Sequence, residues 1–126
     1  ATMRIGLCLD HHAPSDPHAS KRLAGTDVIV FPEMVDSGYA ALKAGAEPHR
    51  IGDELLQWFA EASRSIVPYC IAGSVYLQAP PPARSNTSLV FHHGRLVHRY
   101  DKVHLFRPAG DHRYFRPGTR IGTFSA

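Results

Sequence analysis

Cysteine is scarce in this chain, and where it falls is informative: of 126 residues only Cys8 and Cys70 carry a thiol, and none follows Lys102. Two cysteines without CxxC spacing argue against a zinc site or a disulfide framework. Both sit in apolar, strand-like runs (residues 5–9 and 69–75), so they read as buried reduced thiols. Long hydrophobic runs are missing too. No stretch approaches the roughly 18 apolar residues of a membrane span, and the first residues run directly into a strand pattern rather than a signal peptide. The expectation is therefore a cytoplasmic protein with no membrane partner. Charge surplus is small, 14 basic against 11 acidic residues for a formal +3. The densest basic run, Arg95 to Arg99 with Lys102, is interleaved with Val97, Val103 and Leu105, which is a strand pattern and not a nucleic-acid surface.

What is present suffices for a core. The 44% hydrophobic content and the length fit one globular domain, residues 1–126. Residues 3–9 are apolar throughout, as a strand buried on both faces would be. A short helix follows, capped by Ser15 or Asp16 and stopping near Gly25. It forms a crossover into a second strand over 27–31, so those two strands should be parallel. Leu55, Trp58, Phe59, Ala62 and Ile66 recur at helical steps, which predicts a helix over 53–66 that packs on a sheet. Val67-Pro68 breaks it before a strand over 69–76. Pro80-Pro81-Pro82 reads as an exposed loop in preference to a polyproline ligand. From Asn86 the pattern is a hairpin: strand to Phe91, a turn at His92-His93-Gly94, and a return strand over 95–105. The fold class is α/β, with a mixed sheet.

Two of these segments end in ionisable side chains. Asp27-Val28-Ile29-Val30-Phe31-Pro32-Glu33 closes on a carboxylate, and Tyr100-Asp101-Lys102-Val103-His104 carries an amine on the face shared by His98, Tyr100 and His104. Strand ends are where open α/β sheets keep their chemistry. A carboxylate beside a half-buried lysine is either a structural ion pair or an electrostatic catalyst. Nine histidines raise a metal hypothesis, but the adjacent pairs His11-His12 and His92-His93 fall in turns and are poorly placed to share one ion, so no metal is expected.

Val30-Phe31-Pro32-Glu33-Met34 with Gly38-Tyr39, the opening strand, Asn86-Thr87-Ser88, Tyr100 to Phe106 and Arg113-Tyr114-Phe115-Arg116-Pro117-Gly118 together resemble the carbon-nitrogen hydrolase (nitrilase) family, in that family's order. The resemblance covers nearly the whole chain. It implies half of an α-β-β-α sandwich with helices on one face of the sheet, and a Glu-Lys-Cys triad in which Glu33 is the general base and Lys102 supports the tetrahedral intermediate. Asp111 stands where the family usually has a second glutamate. The resemblance also implies a small-molecule amide or nitrile substrate, an amidase in preference to a nitrilase, no organic cofactor, and a homodimer or larger assembly. Residues 118–124 correspond to the start of the strand that precedes the family's cysteine elbow, and neither Cys8 nor Cys70 matches that cysteine. The chain thus resembles an N-terminal part truncated before its nucleophile, with the C-terminal half of the same enzyme as partner. Alone, it is expected to oligomerise or aggregate and to hydrolyse no amide. The alternative is a non-catalytic binding or assembly module on the same fold.

Overall fold

A computed structural model describes residues 2–9, 19–36 and 38–125. The expected cap at Ser15 or Asp16 and the His11-His12 pair lie outside them. Five strands form one mixed sheet in sequence order: β1 (Ile5–Leu7), β2 (Val28–Val30), β3 (Tyr69–Gln78), β4 (Arg84–His92) and β5 (Arg95–Asp101). β1, β2 and β3 are parallel, joined by crossovers that contain helices α1 (Ala19–Leu23), α2 (Gly38–Lys43) and α3 (Glu54–Ser65); β3, β4 and β5 are antiparallel. The β4–β5 turn is a two-residue loop, His93-Gly94, with both φ angles positive (45° and 83°), the geometry that matches the twist of paired strands. Pro80, Pro81 and Pro82 are exposed in the β3–β4 connection.

The main core lies between α3 and one face of the sheet. Leu56, Phe59 and Ala62 pack on Ile29, Phe31, Cys70, Ala72, Leu89 and Phe91. The helix stripe is turned slightly from the expected one: Leu56 is buried, whereas Leu55, Trp58 and Ile66 pack around the margin. A second cluster of Met34, Leu42, Tyr76 and Phe115 sits on the opposite face, because Tyr76 alternates with the core residues Val75 and Leu77. It seats α2 at one end of the sheet.

Three expectations need correction. β1 is not buried on both faces, since Ile5 and Leu7 are 60% and 72% exposed. β1 is the edge strand, and only Gly6 and Cys8 turn toward the α3 side, Cys8 packing against the core cluster. The return strand ends at Asp101 and not at Leu105, because the carbonyl of Lys102 is taken by the Gly118 N–H (2.8 Å) instead of a sheet partner. Residues 118–124 form no strand; Phe124 lies against Tyr69 and His98.

β3 carries an irregularity between Ala72 and Val75, at Gly73-Ser74. A Cβ on Gly73 would meet the carbonyl oxygen of Phe31 at 1.9 Å, so β2's exit runs directly over this glycine. Gly73→Ala is expected to destabilise the protein by more than about 2 kcal/mol, because the obstructing atom is backbone and cannot rotate away. The denaturant midpoint checks this, and an unchanged midpoint would show that the strand shifts at no cost.

Candidate active site

The topology brings two strand ends together. β5 is antiparallel to β4 and β4 to β3, so β5 runs in the same direction as β2, and the residues that follow each leave at the same end of the sheet. Glu33 follows β2 and Lys102 follows β5. Three strand spacings, about 14 Å, separate these backbones. The Gly73-Ser74 irregularity shapes the crossing: Ser74 N–H donates to the Pro32 carbonyl (3.3 Å), its hydroxyl accepts from Met34 N–H (3.0 Å) and its carbonyl from Val35 N–H (3.0 Å). Met34, fully buried, holds a left-handed φ of 53° directly after Glu33. Such a conformation in a side-chain-bearing residue costs on the order of 1–3 kcal/mol and persists only where packing enforces it.

The Lys102 ammonium donates to Glu33 Oε1 at 3.1 Å and to Asp111 Oδ2 at 2.9 Å. Its backbone is clamped, the N–H donating to the Asn86 carbonyl (2.9 Å). The preceding Asp101 accepts from the Thr87 hydroxyl (2.7 Å) and pairs with Arg99. Asp111 begins a 3-10 turn (Asp111–Arg113), has no solvent exposure, and also accepts from Phe106 N–H at 2.8 Å. All three residues singled out in the sequence thus meet. His98 and His104, expected on the lysine's face, do not join them; Tyr100 does, lining with Glu33, Ser74, Asn86, Ser88 and Lys102 an open cavity of about 200 Å³.

Sequence reasoning gave no role to Tyr39 and Asn86, although both lie within motifs it quoted. The Tyr39 hydroxyl donates to Glu33 Oε1 at 2.9 Å and the Asn86 amide to the same oxygen at 2.8 Å. A buried asparagine on a central strand beside an ionisable cluster was the available signal. Partial burial pushes the Glu33 carboxyl up, but the hydrogen bonds from Asn86, Tyr39 and Lys102 outweigh it and leave it below the usual range. Asp111 is likewise raised by burial and lowered further by Lys102 and the Phe106 amide, with a net downward shift. Lys102 is held well above its ordinary value: burial opposes this, and the two carboxylates overcome it. Burial and the Glu33 carboxylate keep Tyr39 protonated as a donor. Cys70 is buried on the α3 side with its thiol pushed up by desolvation, and Cys8 packs against the same core, so neither faces the cavity. Among the described residues no cluster of three or more His, Cys, Asp or Glu side chains could hold a metal ion, and no helix is long and apolar enough to cross a membrane. His92 stacks on Tyr69 with its Nδ1 on the Pro68 carbonyl.

A mixed α/β sheet that gathers a lysine between two carboxylates at one end defines the class. The carbon-nitrogen hydrolase family model matches residues 8–125, and the chain belongs to that family. It is 38% identical over 96 residues to the omega-amidase YafV of Escherichia coli (strain K12), covering 76% of this chain and 36% of that protein. A 2-oxoglutaramate amidase of Bacillus subtilis (strain 168) is 24% identical over 98 residues, covering 78% of this chain and 38% of that protein. Among solved structures, a CN-hydrolase superfamily protein of Xanthomonas campestris superposes with a TM-score of 0.71 at 23% identity, covering 94% of this chain and 44% of that one. An amidase of Nesterenkonia sp. AN1 gives 0.71 at 21%, covering 94% and 51%. The chain therefore spans a little over a third of the curated relatives and about half of the solved chains, and its sheet with α3 on one face is that portion of their fold.

Because Glu33 and Asp111 ionise below their ordinary range when folded, the stability they contribute is present above about pH 4 and lost as pH falls through their folded values. Lys102 titrates high, so its share persists until strongly alkaline pH. Lys102→Met should cost about 1–3 kcal/mol at pH 7, by leaving the buried Asp111 carboxylate without its ion partner, and the gap from wild type should close toward pH 3. Denaturant titrations at several pH values measure this. A gap independent of pH would mean that the three charges do not stabilise one another.

Proposed function

We propose that this chain is the N-terminal part of an amidase that cleaves small non-peptide amides through a thioester, with Glu33 as general base, Lys102 as the cation facing developing negative charge, and Asp111 holding Lys102 in place. One observation carries the reading: Glu33 and Lys102 arrive from separate strands, meet at 3.1 Å and line the same cavity. The nucleophilic cysteine is assigned to the C-terminal half of the same enzyme, since Cys8 and Cys70 are turned into the core. The Nesterenkonia amidase has an active-site cysteine that adds acrylamide, which supports a thiol in that role. Likeness to the omega-amidases favours the terminal amide of a small carboxylic acid as substrate.

In this mechanism Glu33 takes the thiol proton and the thiolate attacks the amide carbon. The carbonyl oxygen becomes an oxyanion opposite Lys102, and Glu33-H gives its proton to the departing ammonia. Water, deprotonated by Glu33, then opens the thioester, and the acid leaves. No organic cofactor or metal is needed, because side chains supply nucleophile, base and cation. The open face of β1, where Ile5 and Leu7 are exposed, supports a complementary half and an oligomeric enzyme. The free thiols Cys8 and Cys70 fit a reducing compartment, the cytoplasm.

In the full-length enzyme, Glu33→Gln and Lys102→Met should each lower kcat/KM for ammonia release from a small ω-amide by at least about 10²-fold with folding retained. Turnover within a few-fold of wild type in either variant would reduce the pair to a structural ion pair. The isolated chain should release no ammonia from the same substrate.

A further inference from the structure

The two oxygens of Glu33 are treated unequally. Oε1 accepts from the Tyr39 hydroxyl at 2.9 Å, the Asn86 side-chain amide at 2.8 Å and the Lys102 ammonium at 3.1 Å. No donor among the described residues reaches Oε2. The donors come from three separate elements: Tyr39 from α2, Asn86 from β4 and Lys102 from the segment after β5. Asn86 and Tyr39 also touch each other, amide nitrogen to hydroxyl oxygen, at 3.5 Å.

We infer that Tyr39 and Asn86 are positioning residues that fix the rotation of the Glu33 carboxylate by anchoring Oε1, so that Oε2 is the oxygen that takes up and returns the proton. A carboxylate without such anchoring rotates about its last bond, which is a broad, twofold torsion, and presents either oxygen in several directions. Donors on one oxygen remove that freedom and leave the lone pairs of the other directed away from them. They also set how strongly the group holds a proton, because hydrogen bonds to the ionised form favour it. The lysine alone would not suffice: Lys102 is shared with Asp111, so its position answers to two carboxylates, whereas the neutral donors Tyr39 and Asn86 commit to Glu33. Neutral donors have a second consequence. They hold the carboxylate without adding a cation that would have to move when the proton arrives.

The charged and titratable groups around Glu33 are Lys102, Tyr39, Asp111 through Lys102, and Tyr100 across the cavity. The inference rests on Glu33 being the base of the proposed amidase, and the experiment separates the two. In the full-length protein labelled with carboxyl-13C glutamate, the Glu33 resonance is assigned by its loss in Glu33→Gln, and its titration is followed in wild type, Tyr39→Phe and Asn86→Ala. Each variant should raise the Glu33 midpoint by about half to one pH unit. The acid limb of kcat/KM for an ω-amide should move up by the same amount, with Asn86→Gln recovering part of the shift. Asn86 is buried, and its truncation tests folding as well as anchoring; Tyr39→Phe removes one half-exposed oxygen and decides the matter if Asn86→Ala does not fold. A Glu33 midpoint unmoved in Tyr39→Phe would overturn the inference. A midpoint that moves while the acid limb stays fixed would sustain the anchoring and instead remove Glu33 from the role of base.

Discussion

One ammonium group joins the parts of this structure that no single element could bring together. Lys102 reaches Glu33 in the turn after β2 and Asp111 in the 3-10 turn that follows β5, and all three lie within hydrogen-bonding range. Asp111 has no solvent exposure, and a carboxylate in that position is tolerable only while a cation and a backbone donor are aimed at it. The cluster carries two negative charges against one positive. The neutral donors Tyr39 and Asn86 take up part of that excess without changing it, which keeps both acids ionised over the range where most proteins are stable.

The backbone around the cluster is arranged to serve it. β3 gives up regular pairing at Gly73-Ser74, and the turn that carries Glu33 hydrogen-bonds into the gap. Met34 is forced into a left-handed conformation, and its side chain is enclosed by Leu42, Tyr76 and Phe115. The strained residue and the apolar cluster that holds it are thus adjacent. Packing in the second cluster therefore acts on the site directly: loosening Leu42 or Phe115 would relax Met34 before it disturbed the main core under α3.

Much of this was legible in the sequence because apolar strand patterns end where chemistry-bearing residues begin. Glu33 and Lys102 could be picked out on that ground, and parity of strand direction placed them at one end of the sheet. Other features depend on which neighbour covers a residue, which a pattern does not contain. The apolar run of β1 read as doubly buried, yet an edge strand with cover on one side has the same composition. Leu55 and Leu56 are equivalent in hydropathy, and only the approach of α3 to the sheet chooses between them. The strand before Lys102 looked longer because Val103 and Leu105 continue its alternation; it stops where Gly118 claims the lysine's carbonyl. Asn86 needed the β3–β4 register before its side chain could be placed beside Glu33.

Asp111 shows how a shorter side chain keeps a position. Relative to glutamate it lacks one carbon–carbon bond, about 1.5 Å of reach. Its Oδ2 nevertheless lies 2.9 Å from the Lys102 nitrogen. The backbone supplies the difference: Gly110, with φ of 89°, turns the chain so that Asp111 opens the 3-10 segment facing back toward Phe106, whose N–H then locks the same oxygen at 2.8 Å. A longer side chain reaches by rotamer choice, whereas this one is fixed by a glycine and a main-chain donor, and so has less freedom to lose when Lys102 moves. An ammonium has three protons, and the two carboxylates use two of them. The third is left for a group entering the cavity. If the proposed chemistry holds, the tight mooring of Lys102 at Asp111 is what keeps that proton aimed while charge builds on the substrate.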